Sequence, residues 1–361
     1  MTTIVISANV NYVEEHVFYG CTSLTQIQVD KGNPYYCSVD GVLYSAEMDV
    51  LLSYPAGKRD THFTVPSSVT VIETGAFGCA NYLNSVDLPK GLITICDSAF
   101  SGCANLETLV IPSTVQEIWG NAFENCYGLQ SITIPASVRN MGTSVFYGCV
   151  SLTEIQVEKG NAYYYSDAGV LFTADGKTLM AYPACKADNA YVIPASVGEI
   201  AWGAFAYAEN LQKVVMPSGL KSIPNYAFAW CYNLSSVTLP VSINYIGVNA
   251  FRNNEILAEI RYAGTEQMWN AISFGNYWDL NAGKYTIYYS IYCEKGHSWT
   301  DATCIAPKQC VNCGLTEGDK LDHDYVDGIC TGCGRADVNG LRKRPRLRQR
   351  IRNSCSSGSR S

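Results

Sequence analysis

Apolar and polar positions alternate along this chain in a repeating order. A representative unit reads Ile111-Pro-Ser-Thr-Val115-Gln-Glu-Ile118-Trp-Gly-Asn-Ala-Phe123-Glu-Asn-Cys126-Tyr-Gly-Leu129-Gln-Ser-Ile132-Thr-Ile134-Pro135. In its L-x-x-I-x-I part the apolar side chains fall on one face and the residues between them on the other. That two-residue alternation predicts a short strand. Proline directly after the strand ends it and turns the chain. The V-x-x-I part and the Ala-Phe pair are then expected to return along the other side, with phenylalanine filling the space between neighbouring coils.

The order recurs at one fixed spacing. Pro66, Pro89, Pro112 and Pro135 keep it, as do Pro194, Pro217 and Pro240. Each is followed, at a constant offset, by a phenylalanine: Phe77, Phe100, Phe123, Phe146, Phe205, Phe228 and Phe251. A fixed period of 20–29 residues carrying L-x-x-I-x-I is the mark of a leucine-rich repeat solenoid. A longer period lies over the short one and relates Phe18 to Phe146, Ile27 to Ile155 and Pro66 to Pro194. Each long unit contains one expanded repeat, so that Phe18 to Phe77 and Phe146 to Phe205 are equal spans, each more than twice the ordinary spacing. The expansions share Gly32-Asn-Pro-Tyr-Tyr36 and Gly160-Asn-Ala-Tyr-Tyr164, and a hairpin is expected around Ala174-Asp-Gly-Lys177. Met1–Ile6 matches Leu129–Ile134, so the chain opens in mid-repeat, and an N-terminal piece with a secretion signal is expected to precede it. Cys21, Cys103, Cys126, Cys149 and Cys231 each follow a phenylalanine by three residues. They are expected to form a ladder of small buried thiols.

This pattern resembles the BspA-like leucine-rich repeats, with the resemblance covering residues 1–262. It implies a mainly β, right-handed solenoid of 23-residue repeats with two expanded units, and a place on surface or secreted proteins of host-associated bacteria and some protists. It also implies adhesion to host proteins or other cells. Past Tyr262 the period ends. Thr265 is a helix N-cap candidate and Tyr285–Tyr289 alternates as a strand, so residues 263–292 are expected to form a small α/β cap.

Residues 293–334 are rich in cysteine. Cys310-Val-Asn-Cys313-Gly and Cys330-Thr-Gly-Cys333-Gly are separated by sixteen residues, a recognised zinc-ribbon spacing. Four thiolates complete a closed, structural Zn²⁺ shell. His297 and His323 are alternate ligands, because the segment resembles paired G-H-x-W…C-x-x-C-G modules of anaerobic Firmicutes surface proteins. A disulfide-stapled extracellular module is the competing reading. Residues 335–361 read as a disordered basic tail, on which no function is built.

Composition narrows the function. Charged residues are only 16% of the chain, and the four histidines leave little material for His-based catalysis. The formal charge is −7, but residues 335–361 carry nine Lys/Arg against one Asp, so residues 1–334 carry −15. An acidic body disfavours nucleic acid. No apolar run is long enough for a membrane span. Neither a phosphate loop nor a nucleophile turn occurs. These features point away from an enzyme, and together with the location and adhesion that the resemblance implies, the expectation is a non-enzymatic, extracellular or cell-surface binding protein. Its partner is expected to be a host or neighbouring-cell protein or glycan. The alternative is a non-catalytic scaffold or spacer arm. Packing fixes the inward residues of each strand, which leaves the outward ones for a ligand. The central outward residues Thr108, Ser131, Thr133 and Glu154 are the candidate contacts, and the tyrosine-rich inserts at Tyr35–Tyr36 and Tyr163–Tyr165 are the second location.

Overall fold

The structure, a computed structural model, describes residues 2–289 and four two-residue strands beyond them. Met1–Tyr289 form one compact unit. In the remainder, Lys308–Gln309 pairs with Thr316–Glu317, and Tyr325–Val326 with Ile329–Cys330, both antiparallel. Cys310, Cys313, Cys333, His297, His323 and the basic tail lie outside the described residues, as does the side chain of Cys330.

The compact unit is a mainly β solenoid with one five-residue helix, Glu266–Asn270. The L-x-x-I-x-I segments form parallel strands in the expected register, for example Ser131↔Glu154 and Ser236↔Glu259. The V-x-x-I segments do more than return. Val71–Ile72, Thr94–Ile95, Glu117–Ile118 and Asn140–Met141 make a second parallel ladder, which Val50–Ser53 of the first expansion joins at one end. A third line of hydrogen bonds runs through the phenylalanine turns. Phe77 N donates to Ala99 O at 2.7 Å and Phe100 N to Ala122 O at 2.8 Å. The turn is shaped by left-handed residues two before and two after the phenylalanine: Ser98 and Gly102 around Phe100, Asn121 and Asn125 around Phe123.

The core follows the period. Phe77, Phe100, Phe123 and Phe146 stack at 4.8, 5.6 and 5.8 Å between ring centroids. Phe205, Phe228 and Phe251 stack at 4.7 and 5.3 Å. Tyr54 and Tyr182, supplied by the expansions, begin the two stacks at 5.3 and 5.0 Å. Cys103, Cys126, Cys149 and Cys231 are buried free thiols, and each Sγ donates to the phenylalanine carbonyl of the preceding coil. Asn254 takes the same place and bonds Phe228 O through Nδ2 at 2.9 Å. Cys21 is exposed and stands apart from the ladder.

Each expansion is a three-stranded antiparallel meander: Tyr36–Val39, Val42–Ser45, Val50–Ser53, and again Tyr164–Asp167, Val170–Thr173, Thr178–Ala181. The tight turns Asp40-Gly41 and Ala168-Gly169 have φ of 49° and 79°, and of 47° and 82°. Two consecutive positive φ values give the turn that suits hairpin twist, and glycine takes the second without strain. The last strand of each meander joins the second parallel ladder. The Gly-Asn-x-Tyr-Tyr motif is a clamp. Asn161 Nδ2 donates to Pro135 O and Val138 O, while its Oδ1 accepts from the Tyr163 and Tyr164 amides. Tyr164 Oη then accepts from Met141 N at 2.8 Å. Asn33 and Tyr36 repeat these bonds in the first unit.

The ladders continue past Tyr262. Ser273–Phe274 pairs with Tyr245–Ile246, and Thr286–Tyr289 with Glu259–Tyr262. Residues 263–289 therefore add one more coil, lengthened by a helix that Thr265 caps and whose Trp269 is buried. The loss of sequence period there reflects the helix, which has no counterpart in the other described repeats.

Candidate functional site

The outward strand positions are set by the alternation itself. Once Leu109 and Ile132 point into the core, Thr108, Ser131 and Thr133 must face out, and all three are exposed. Glu154 is exposed on the next strand, opposite Ser131, and its Oε1 accepts from Gln156 Nε2 at 3.0 Å.

At this place the first ladder is interrupted. His62–Thr64, Ser85–Asp87 and Thr108–Leu109 form one sheet, whereas Ser131–Ile134 and Glu154–Val157 form another, and Thr108–Leu109 does not pair with Ser131–Ile134. The second ladder stays closed beside the break, with Glu117↔Asn140 and Ile118↔Met141 in register. The interruption opens a depression of about 440 Å³ lined by Thr108, Val110, Ser131, Thr133 and Glu158. It adjoins a second of about 810 Å³, which shares Thr108, Val110 and Glu158 and extends to Asp87 and Lys90. Three of the four candidate contacts thus surround one depression, and Glu154 lies beside it.

Glu158 was not singled out by the sequence. Its amide donates to Ile134 O at 2.9 Å and its Oε2 accepts from Ala136 N at 3.0 Å, so one residue bridges two coils at the mouth of the depression. The available signal was the repeated Val-acid-Lys-Gly at 29–32 and 157–160, which places an acid directly after the strand. Val110 is 82% exposed, an apolar contact among hydroxyl groups. Farther along the same face His62 Nδ1 meets Ser85 Oγ at 2.9 Å and its Nε2 meets Asp87 at 3.2 Å. In chemical terms the face offers hydroxyls, open backbone groups, the carboxylates of Asp87, Glu154 and Glu158, the Lys90 ammonium and one exposed valine. This composition suits a broad hydrogen-bonding contact.

The tyrosine-rich inserts divide into two roles. Tyr36 and Tyr164 are consumed by the clamps, while Tyr35 and Tyr163 are both 53% exposed. The thiol ladder is chemically quiet. Burial pushes the Cys103, Cys149 and Cys231 thiols up to about 12, which keeps them protonated. Among the described residues no group of three or more His, Cys, Asp or Glu is arranged to hold a metal ion.

Residues 1–37, 57–168 and 180–288 match the family described as BspA type leucine rich repeat region, in six copies. Among solved structures, a leucine rich cell surface protein from Faecalibacterium prausnitzii A2-165 is 27% identical. The match covers 76% of this chain and 82% of that one, with a TM-score of 0.49. The pneumococcal vaccine antigen PcpA is 21% identical over 71% of this chain and 85% of its own, with a TM-score of 0.48. A leucine-rich repeat protein from Eubacterium ventriosum ATCC 27560 is 25% identical over 82% of this chain and 62% of its own, with a TM-score of 0.37. No curated protein matches the chain.

Proposed function

The chain belongs to the BspA-type leucine-rich repeat family, and we propose that it is a non-enzymatic cell-surface or secreted binding protein. The contact face is the outward side of the repeat strands, centred on Thr108, Ser131 and Thr133 with Glu154 beside them. Its partner is a host or neighbouring-cell protein or glycan. The observation that carries this reading is the break in the ladder, which leaves strand-edge groups and an exposed valine beside a shallow depression. A shallow polar face gathers affinity from many weak contacts over area, as protein and glycan interfaces do. The non-catalytic part of the reading rests on the sequence, which offers no nucleophile turn and no paired acid–base groups. No helix among the described residues is long and apolar enough to cross a membrane.

A spacer arm is the second reading, and the ring stacks favour it. Four and three phenylalanines in contact make successive coils stiff against one another.

The test is a screen of the full chain against host matrix proteins and glycans, followed by Thr108→Arg, Ser131→Arg and Thr133→Arg in combination. Loss of binding by about tenfold or more, which is about 1.4 kcal/mol, with an unchanged circular dichroism spectrum supports the face. Unchanged binding moves the contact elsewhere, with Tyr35 and Tyr163 next to be replaced. The absence of any partner in the screen favours the spacer arm.

A further inference from the structure

The two expansions create the same junction twice, and the two copies differ. In an unexpanded stretch each coil packs on the next one in the period. At each expansion the coil of Phe18 or Phe146 instead faces the coil of Phe77 or Phe205, with a meander inserted between them in the chain. In the second copy the junction is almost filled. About 20 Å³ remains, and Tyr147 and Trp202 meet across it at 4.9 Å. In the first copy a cavity of about 240 Å³ stays open, and Thr74 stands where the second has Trp202.

The chemistry of the lining diverges with the volume. The apolar floor is shared: Phe18, Leu43 and Leu52 in the first copy correspond to Phe146, Leu171 and Met180 in the second. The first copy adds Glu14, Glu15 and Glu73, whose counterparts in the long period are Gly142, Thr143 and Ala201. His16 also lines the cavity, and no lysine or arginine does. Ser53 lines it as well. It is only 7% exposed, and its hydroxyl finds no hydrogen-bond partner among the described residues, whereas its counterpart is Ala181. The second copy shows that the repeat accepts a filled, neutral junction at this position. Three carboxylates gathered at one junction, with no lysine or arginine in its lining, repel one another. Departures of this kind from a consistent core mark functional places.

We propose that this cavity binds a monocationic group on an apolar stem, an ammonium or guanidinium. The stem lies on Phe18, Leu43 and Leu52, and the charge sits among Glu14, Glu15 and Glu73 within reach of the Ser53 hydroxyl. A free amine and a lysine or arginine side chain of a partner polypeptide share this chemistry. The site is separate from the strand face and does not depend on it.

The experiment titrates the full chain with butylamine, with butanol and butyrate as neutral and anionic controls, by calorimetry and saturation-transfer NMR. Capped lysine and arginine tripeptides distinguish the sources: tighter peptide binding assigns a partner polypeptide, tighter butylamine binding a free amine. The cationic probes are expected to bind in the millimolar range or better, about tenfold more tightly than butanol or butyrate. The combined Glu14→Gln, Glu15→Gln and Glu73→Gln variant should lose about that factor, and Thr74→Trp should abolish binding. Both variants are checked for an unchanged circular dichroism spectrum, and the isosteric glutamines keep the test open should the tryptophan disturb the fold. Failure of every cationic probe to bind, or equal binding by the glutamine variant, overturns the proposal.

Discussion

Phe100 is the sharpest probe of the ring stack. It is fully buried, with Phe77 at 4.8 Å and 6° on one side and Phe123 at 5.6 Å and 20° on the other. Phe→Ala in a core costs about 3–5 kcal/mol, more where the site cannot collapse. Collapse is blocked here. The turn line holds Phe77 N to Ala99 O and Phe100 N to Ala122 O, while the second ladder fixes Ile72↔Ile95↔Ile118. Phe100→Ala should therefore fall near the top of that range, at about 4–5 kcal/mol. Phe146 supplies the contrast. It stacks on Phe123 alone, at 5.8 Å, because the expansion removes its next neighbour, and it retains 8% exposure. Losing one ring partner instead of two should make Phe146→Ala milder by about 0.5–1.5 kcal/mol. Urea unfolding followed by circular dichroism gives the totals. Hydrogen exchange of the Phe77–Phe123 amides shows whether the damage stays local, as expected where each coil touches only its neighbours. Equal costs at the two positions, or a Phe100→Ala cost under about 2 kcal/mol, would refute the view that the stack is held at fixed spacing.

Asn161→Ala removes all four bonds of the second clamp and should cost about 2 kcal/mol in a melt, since net hydrogen bonds are worth about 1 kcal/mol each and this one is half-exposed. Asn161→Asp keeps the two acceptor contacts but turns a carboxylate toward two carbonyls, so it should recover little of that loss. The thiol ladder predicts an alkaline transition. The thiols titrate at about 8.5 when unfolded and at about 12 when folded, so their contribution is complete below about 8.5 and is lost as pH rises toward 12. Melting temperatures between pH 8 and 11 should fall less steeply for Cys103→Ala, and a parallel fall would count against the ladder as the cause. Iodoacetamide under native conditions should modify Cys21 well before Cys103, Cys126, Cys149 or Cys231, as peptide mass mapping can read. Cys310, Cys313, Cys330 and Cys333 are expected to hold about one Zn²⁺ per chain after reducing purification. Zinc absent from metal analysis, with these thiols found in disulfides, would favour the stapled module.

The sequence alone determined what each coil must bury and how coils follow one another. Phe100 and Phe123, Leu106 and Leu129, Pro89 and Pro112 occupy the same place in successive coils, so a single period states both the strand and its partner. The outward side of Thr108, Ser131 and Thr133 followed from the same alternation. The expected thiol ladder also followed, because Cys126 keeps its offset from Phe123 in most repeats. Other features depended on contacts that the period does not encode. The expansions make neighbours of the coils of Phe18 and Phe77, and of Phe146 and Phe205, across a whole inserted meander. Whether such a junction closes, as at Trp202, or stays open, as at Thr74, depends on side-chain volumes meeting in space. The break between Thr108–Leu109 and Ser131–Ile134 has no counterpart in the pattern, because both segments carry residues fit for pairing. Glu158 and Asn161 act by reaching into the preceding coil. Their roles therefore emerge only once the backbone has placed a donor or acceptor there to meet them.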